Sequence, residues 1–262
     1  MRPELLALLL LMGGCLCIGC GSNATGSECG KEFKTTGSLE QNVDNVSRLQ
    51  LSGEIGNVEI KPVSTPTLKA VIEKVVRYGT KELAEELFEK VKVTARNDGN
   101  TVFIETAGLE EVKAIIAKYR ALVDPAKVSL EINYILEVPT NLSQFKIATR
   151  VGNIALTDLT GVFDLTTDIG NIALKNRMAL AGKSSVRVNT GNIEARIQEI
   201  QSTAGFEGET QNGNITLLIS DAISCTVELE QYMQEKRIIN HNGGGVPINA
   251  KAVLGTVNCD FY

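Results

Sequence analysis

One histidine, six cysteines and a recurring glycine–asparagine pair are the residues that could do chemistry in this chain. His241, within Asn240-His241-Asn242-Gly243-Gly244-Gly245, is the one candidate acid/base, and a loop histidine among glycines is ordinarily just solvated. Cys225 and Cys259 fall in alternating apolar runs that turn them inward. They can pack there as small hydrophobes or pair as a disulfide between neighbouring strands. A ligand or calcium groove lined by the asparagines would want acidic residues at fixed spacing, and the glycine–aspartate nonapeptide pattern is absent. There is no G-x-S-x-G, phosphate loop or zinc-ligand spacing. The expectation is therefore no catalytic residue, no metal and no cofactor, with the asparagines in a structural role.

That role follows from the repeat. Gly152-Asn153-Ile154, Gly170-Asn171-Ile172, Gly191-Asn192-Ile193 and Gly213-Asn214-Ile215 each open a short apolar strand, with variants at Gly56-Asn57-Val58 and Gly255-Thr256-Val257. From Gly152 to Gly255 the intervals are 18, 21, 22 and 42 residues, the last twice 21. Such a period with alternating apolar residues marks a stacked β architecture, so the expected fold class is all-β, a right-handed parallel β-solenoid or β-helix. Glycine supplies the positive φ of a sharp corner. Asparagine amides stacked coil upon coil can bond to one another as a ladder, with buried groups left unpaired if one is removed.

Strand side chains alternate, so the residues three, five and seven before each glycine share a face. Thr149, Ile147 and Phe145 are followed by Thr167, Leu165 and Phe163, then Val188, Val186 and Ser184, then Thr210, Gly208 and Phe206. Leu51 and Leu49 precede Gly56, and Ala250 and Ile248 precede Gly255. These columns are assigned to the interior. On the other face Lys146 would stand over Asp164, Arg150 over Asp168 and Arg187 over Glu209. With strands roughly 4.8 Å apart these pairs can touch, each contributing about 0–1 kcal/mol.

Composition bounds the rest. The chain has 262 residues, 43% hydrophobic content, no Trp and a net charge of −5, which allow a proper core in one or two domains. Dispersed lysines and arginines argue against a nucleic-acid partner. Leu5 to Met12 is an apolar run too short for a standard membrane-spanning helix. It reads as a targeting segment. Leu16-Cys17-Ile18-Gly19-Cys20 resembles a bacterial lipobox, with Cys20 the lipidated residue; Cys15, after Met12-Gly13-Gly14, is the second candidate. Residues 1–19 are then a signal peptide and residues 20–38 a flexible tether, holding Cys29.

Residues 39–138 are less regular. Strand-like runs at 48–60, 68–78, 90–96, 101–106 and 127–138 are interrupted by helices expected over 81–91 and 109–122, read as caps on the sheet. Asn97-Asp98-Gly99-Asn100 is a hairpin signal. Residues 139–262 are the repeat domain. Four segments occur in order: Leu49-Gln50-Leu51-Ser52-Gly53-Glu54-Ile55-Gly56-Asn57-Val58, Tyr134-Ile135-Leu136-Glu137-Val138-Pro139, Thr160-Gly161-Val162-Phe163-Asp164-Leu165, and Asn242-Gly243-Gly244-Gly245. On them the chain resembles the bacterial putative-adhesin family, envelope β-solenoids built around a domain of unknown function. The match runs from about Leu39 to the end, with residues 109–125 as an insertion. The resemblance implies a cell-envelope solenoid and supplies no catalytic residue.

The expected function is thus a lipid-anchored, non-enzymatic envelope protein of the outer membrane or cell surface, used for scaffolding or surface interaction. Its partners would be the membrane, through the N-terminal lipid, and an envelope protein or surface glycan. Two alternatives are a sensory domain for envelope stress, which binds another envelope protein, and a polysaccharide-active β-helix enzyme.

Overall fold

A computed structural model describes residues 32–232 and 234–262. The protein is all-β with two short helices, its strands forming one connected 19-stranded sheet that is open and not a barrel. In the first part of the chain come β1 (Glu32–Asn42), β2 (Arg48–Ile55), β3 (Val58–Val63), β4 (Thr67–Arg77), α1 (Lys81–Lys90), β5 (Lys92–Asp98), β6 (Thr101–Ala107), α2 (Leu109–Lys118) and β7 (Ser129–Pro139). The repeats supply β8 (Gln144–Val151), β9 (Ile154–Thr157), β10 (Thr160–Ile169), β11 (Ile172–Leu180), β12 (Lys183–Thr190), β13 (Ile193–Ile200), β14 (Gly205–Asn212) and β15 (Ile215–Ile219). The end of the chain adds β16 (Cys225–Gln231), β17 (Arg237–His241), β18 (Val246–Leu254) and β19 (Val257–Phe261).

These strands make two ladders. Sheet I runs β5-β6-β2-β8-β10-β12-β14-β18-β16-β17. Sheet II runs β1-β4-β7-β3-β9-β11-β13-β15-β19. From β2 to β18 and from β7 to β19 every pairing is parallel. Each Gly-Asn corner carries the chain from sheet I to sheet II. Equivalent repeat residues are direct partners: Ile172 lies between Ile154 and Ile193, which in turn faces Ile215.

The interior is the alternating face that the repeat marks out. Phe145, Ile147, Phe163, Leu165, Val186, Phe206 and Ile248 are all buried, and the Phe145 and Phe163 rings stack at 5.4 Å. Burying a side chain of this kind contributes about 1.5–3 kcal/mol, so the columns, and not the surface pairs, hold the stack together.

Several expectations change. Residues 32–38, assigned above to the tether, lie in β1, which pairs antiparallel with β4 from Glu32↔Arg77 to Asn42↔Thr67. The spacing of 42 residues does not conceal a coil in between: β18 and β19 pair directly with β14 and β15. The intervening chain instead makes the β16–β17 hairpin outside β18. Helix α2 ends at Lys118, four residues before the expected end, and the chain continues in turns that still pack Tyr119 and Val123 on the core.

The helices pack their apolar stripes on the core. Leu83, Ala84 and Leu87 of α1 and Val112 and Ile115 of α2 are buried. Thr80 caps α1, its Oγ1 accepting the Leu83 N–H at 3.2 Å. The other end is capped by Lys74 of β4, whose Nζ donates to the Phe88 carbonyl at 2.9 Å and the Val91 carbonyl at 2.5 Å. Burial pushes the Lys74 pKa down, and the two helix-terminal carbonyls are what keep its charge tolerable there.

Candidate functional site

The recurring polar motif forms a continuous ladder down the corner. Asn153 Nδ2 donates to Asn57 Oδ1 at 3.0 Å, Asn171 Nδ2 to Asn153 Oδ1 at 3.1 Å, and Asn192 Nδ2 to Asn171 Oδ1 at 3.1 Å. The same acceptor oxygens take the backbone N–H of the next coil at 2.9–3.0 Å, and the Asn214 N–H bonds Asn192 Oδ1 in this way. Each amide therefore satisfies a corner N–H that the strand ladder cannot reach.

One end of this ladder escapes a search for the glycine-led repeat. Asn133 of β7 accepts from Asn57 Nδ2 at 3.1 Å and donates to Glu73 at 3.1 Å. Thr256 closes the far end, its N–H and Oγ1 both donating to Asn214 Oδ1, at 3.0 and 2.9 Å. The signal for Asn133 was present in the alternation of Asn133-Tyr134-Ile135-Leu136, which parallels Asn153-Ile154-Ala155-Leu156. It lacks only the glycine.

The glycines are required twice over. Gly152, Gly170, Gly191 and Gly213 have φ of 139–153°, and Gly56 and Gly255 have 139° and 149°. A Cβ on Gly170 would sit 2.0 Å from the Gly152 carbonyl oxygen, and one on Gly191 1.8 Å from that of Gly170. Gly213 and Gly255 meet the preceding corner's carbonyl at 1.9 and 1.8 Å in the same manner, and Gly56 meets the Ile132 carbonyl of β7 at 2.1 Å. Backbone stacks directly on backbone here. Inside the corner, Thr167 Oγ1 donates to the Gly152 carbonyl and Thr210 Oγ1 to that of Gly191, both at 3.0 Å. This explains why threonine recurs in an otherwise apolar column: its hydroxyl takes up the carbonyl that the tight corner leaves over.

One feature of the ladder differs from expectation. Asn153, Asn171, Asn192 and Asn214 are exposed, not buried. Water can reach each amide, so losing one costs less than a buried orphan would.

On the outer face of sheet I, Lys146 and Asp164 lie 4.0 Å apart and Arg187 reaches Glu209 at 3.9 Å and Glu207 at 3.2 Å. The register sets Asp168 beside Arg150 as expected, but Arg150 makes its ion pair with Glu54, at 2.8 Å on the opposite neighbouring strand. A shallow groove of about 200 Å³ crosses β14, β18 and β16, where Lys236 binds Glu228 and Lys251 binds Glu230, both at 2.6 Å. Its carboxylates are engaged by cations. Among the described residues no three His, Cys, Asp or Glu side chains are grouped to hold a metal.

His241 is no loop residue. It ends β17, its ring stacked on Phe261 at 3.9 Å between centroids, with Nε2 3.2 Å from the Asp221 carbonyl oxygen. Cys225, buried, is its register partner on β16, and Cys259, partly buried, lies in β19 two residues before Phe261. Both thiols are free. Burial, then the nearby Cys225, pushes Cys259 up to about 11, and burial raises Cys225 as well. A cleft of about 430 Å³ adjoins this end, lined by Leu229, Gln231, Arg237 and Val257. There Gln231 Oε1 accepts the Val257 N–H at 2.9 Å, occupying a donor on the free edge of β19.

Cys20, Cys15, Cys29 and the signal segment lie outside the described residues. Among the described residues no helix is long and apolar enough to cross a membrane.

No family model matches this chain, and no curated protein matches it. Solved structures do. The chain is similar to a "putative cell adhesion protein" from Clostridium sporogenes at 13% identity, over 88% of this chain and 100% of that one, with a TM-score of 0.41. It is also similar to a "putative adhesin" from Bacteroides fragilis at 12% identity, over 87% of this chain and 97% of that one, TM-score 0.32. A third such structure, from Parabacteroides distasonis, is 11% identical over 86% of this chain and 97% of its own length, TM-score 0.28.

Proposed function

We propose that this chain is a lipid-anchored, non-enzymatic protein of the cell envelope, in which a right-handed parallel β-solenoid offers its outer faces for scaffolding or surface interaction. The fate of the recurring polar motif carries this proposal. Asn57, Asn153, Asn171, Asn192 and Asn214 spend their amides on one another and on corner backbone, so the most repeated polar group serves architecture. His241 is held in a ring stack and the carboxylates of the outer groove are held by Lys236, Lys251 and Arg187. Two walls of in-register parallel strands joined by tight corners are what a solenoid needs, and such a body presents long, flat surfaces. The anchor rests on Leu16-Cys17-Ile18-Gly19-Cys20 and the polar residues after it.

The anchor is tested by feeding cells a tagged fatty acid. Wild-type protein should take up label and sediment with membranes, and Cys20→Ala should do neither. Label persisting in Cys20→Ala would show that Cys20 is not the anchor. For the surface role, crosslinking on intact cells with the tether in place should capture one reproducible glycan or envelope protein. Turnover of an envelope polysaccharide by the purified protein would overturn the non-enzymatic assignment.

A further inference from the structure

We infer that Cys225 and Cys259 form a redox staple, a disulfide that ties the β16–β17 hairpin to the last strand of sheet II and closes the C-terminal end of the stack. The two ends of the molecule are finished differently. At the first end sheet II is completed by β4 and β1, sheet I by β5, and helices α1 and α2 pack against them. At the other end sheet I continues for two strands, β16 and β17, past the level at which sheet II stops at β19. The hairpin therefore covers the end of the interior, with Cys225, Val227 and Leu229 buried beneath it.

Beyond those buried side chains, a few contacts tie it to sheet II. The His241 ring rests on Phe261, the Gln231 amide oxygen accepts the Val257 N–H, and the Asp221 N–H donates to the Tyr262 carbonyl at 2.9 Å. The two cysteines bracket the first of these contacts. Cys225 begins β16 directly opposite His241, and Cys259 shares the inward side of β19 with Phe261, two residues away. Both belong to, or pack against, the same hydrophobic cluster. A bond between them would join the two sheets beside that ring stack.

The chemistry balances by thiol–disulfide exchange with a small disulfide such as oxidised glutathione. One thiolate attacks the oxidant and releases one reduced thiol. The second thiolate then displaces the other, so that one protein S–S bond forms, two protons leave and two electrons reduce the oxidant to two thiols. Both protein thiols are held protonated by burial, which makes exchange slow while the end is closed and fast when the hairpin opens or the chain folds. The bond would close a loop of about 34 residues, long enough to restrict the unfolded chain substantially. None of this depends on the lipid anchor.

The test refolds the full chain in a buffer of oxidised and reduced glutathione, then maps peptides by mass without reduction. The expected product is a cross-linked pair of peptides holding Cys225 and Cys259, with Cys29 in neither. The oxidised protein should melt about 5–10 °C above the reduced one, and Cys259→Ala should lose that redox dependence. Recovery of the two cysteines as free thiols, as separate glutathione adducts, or bonded to Cys29 overturns the staple. So does a Cys225–Cys259 bond that leaves the melting point unmoved.

Discussion

The repeat coils and the first part of the chain solve the same problem with opposite tolerances. In the coils a corner is made by two residues, and its geometry leaves no room: added Cβ atoms at Gly170 and Gly191 run into carbonyl oxygens 2.0 and 1.8 Å away. In the first part the chain turns with helices and antiparallel strands. Gly37 of β1 and Gly99 of the β5–β6 hairpin have nothing within 4 Å of the position a Cβ would take. Stacking identical corners removes the freedom of each one, because every backbone oxygen is the floor of the next coil. Helical connections are looser but not free of this constraint: a Cβ on Gly108, just before α2, would meet the Lys90 carbonyl oxygen at 2.1 Å, while the side chains of Thr80 and Lys74 finish α1.

The sharpest way to break that comparison is at a stacked corner. Gly170→Ala must relieve both a φ of 146° and a backbone overlap, and it should cost about 4 kcal/mol or more, read as loss of the folded baseline in denaturant melts. A variant as stable as wild type would show that the coils are far more yielding than their geometry requires. At the helical end, Lys74→Met keeps the stem and removes two charge-assisted bonds to the last carbonyls of α1. A loss of about 1–2 kcal/mol is expected, with faster amide exchange confined to α1.

Smaller effects sharpen the contrast. Asn171→Ala leaves the Asn192 N–H without its acceptor, yet in reach of water, so about 1 kcal/mol is expected; a cost of several kcal/mol would mean that the ladder acts cooperatively. Gly37→Ala meets open space at an ordinary φ and removes flexibility from the unfolded chain. It should be neutral or stabilise by about 0.5 kcal/mol, and marked destabilisation would show that β1 is packed against something further.

Much of the coil region was legible because its letters report physical constraints directly. Gly170 is glycine because nothing else fits, and Thr167 and Thr210 are threonine because a corner carbonyl needs a donor. Inward columns such as Phe145 and Phe163 followed from alternation alone. The rest was hidden for equally physical reasons. Arg150 had acids on both neighbouring strands, and only the stacking order showed that Glu54, 96 residues away, was the nearer. Residues 32–38 read as tether because their partner strand, β4, lies far along the chain and the segment's own composition is polar.

The amino-acid order by itself determined the all-β class, the inward columns and the corners, because each rests on local alternation or on a conformation that one residue type alone adopts. Tertiary structure decided which coil lies on which. It set β2 between β6 and β8, laid β18 directly on β14, and sent Cys225 and His241 out to the open end. Those placements are long-range pairings between strands of near-identical pattern. Local sequence cannot rank such partners, and only the packed interior and the shape of the ends tell them apart.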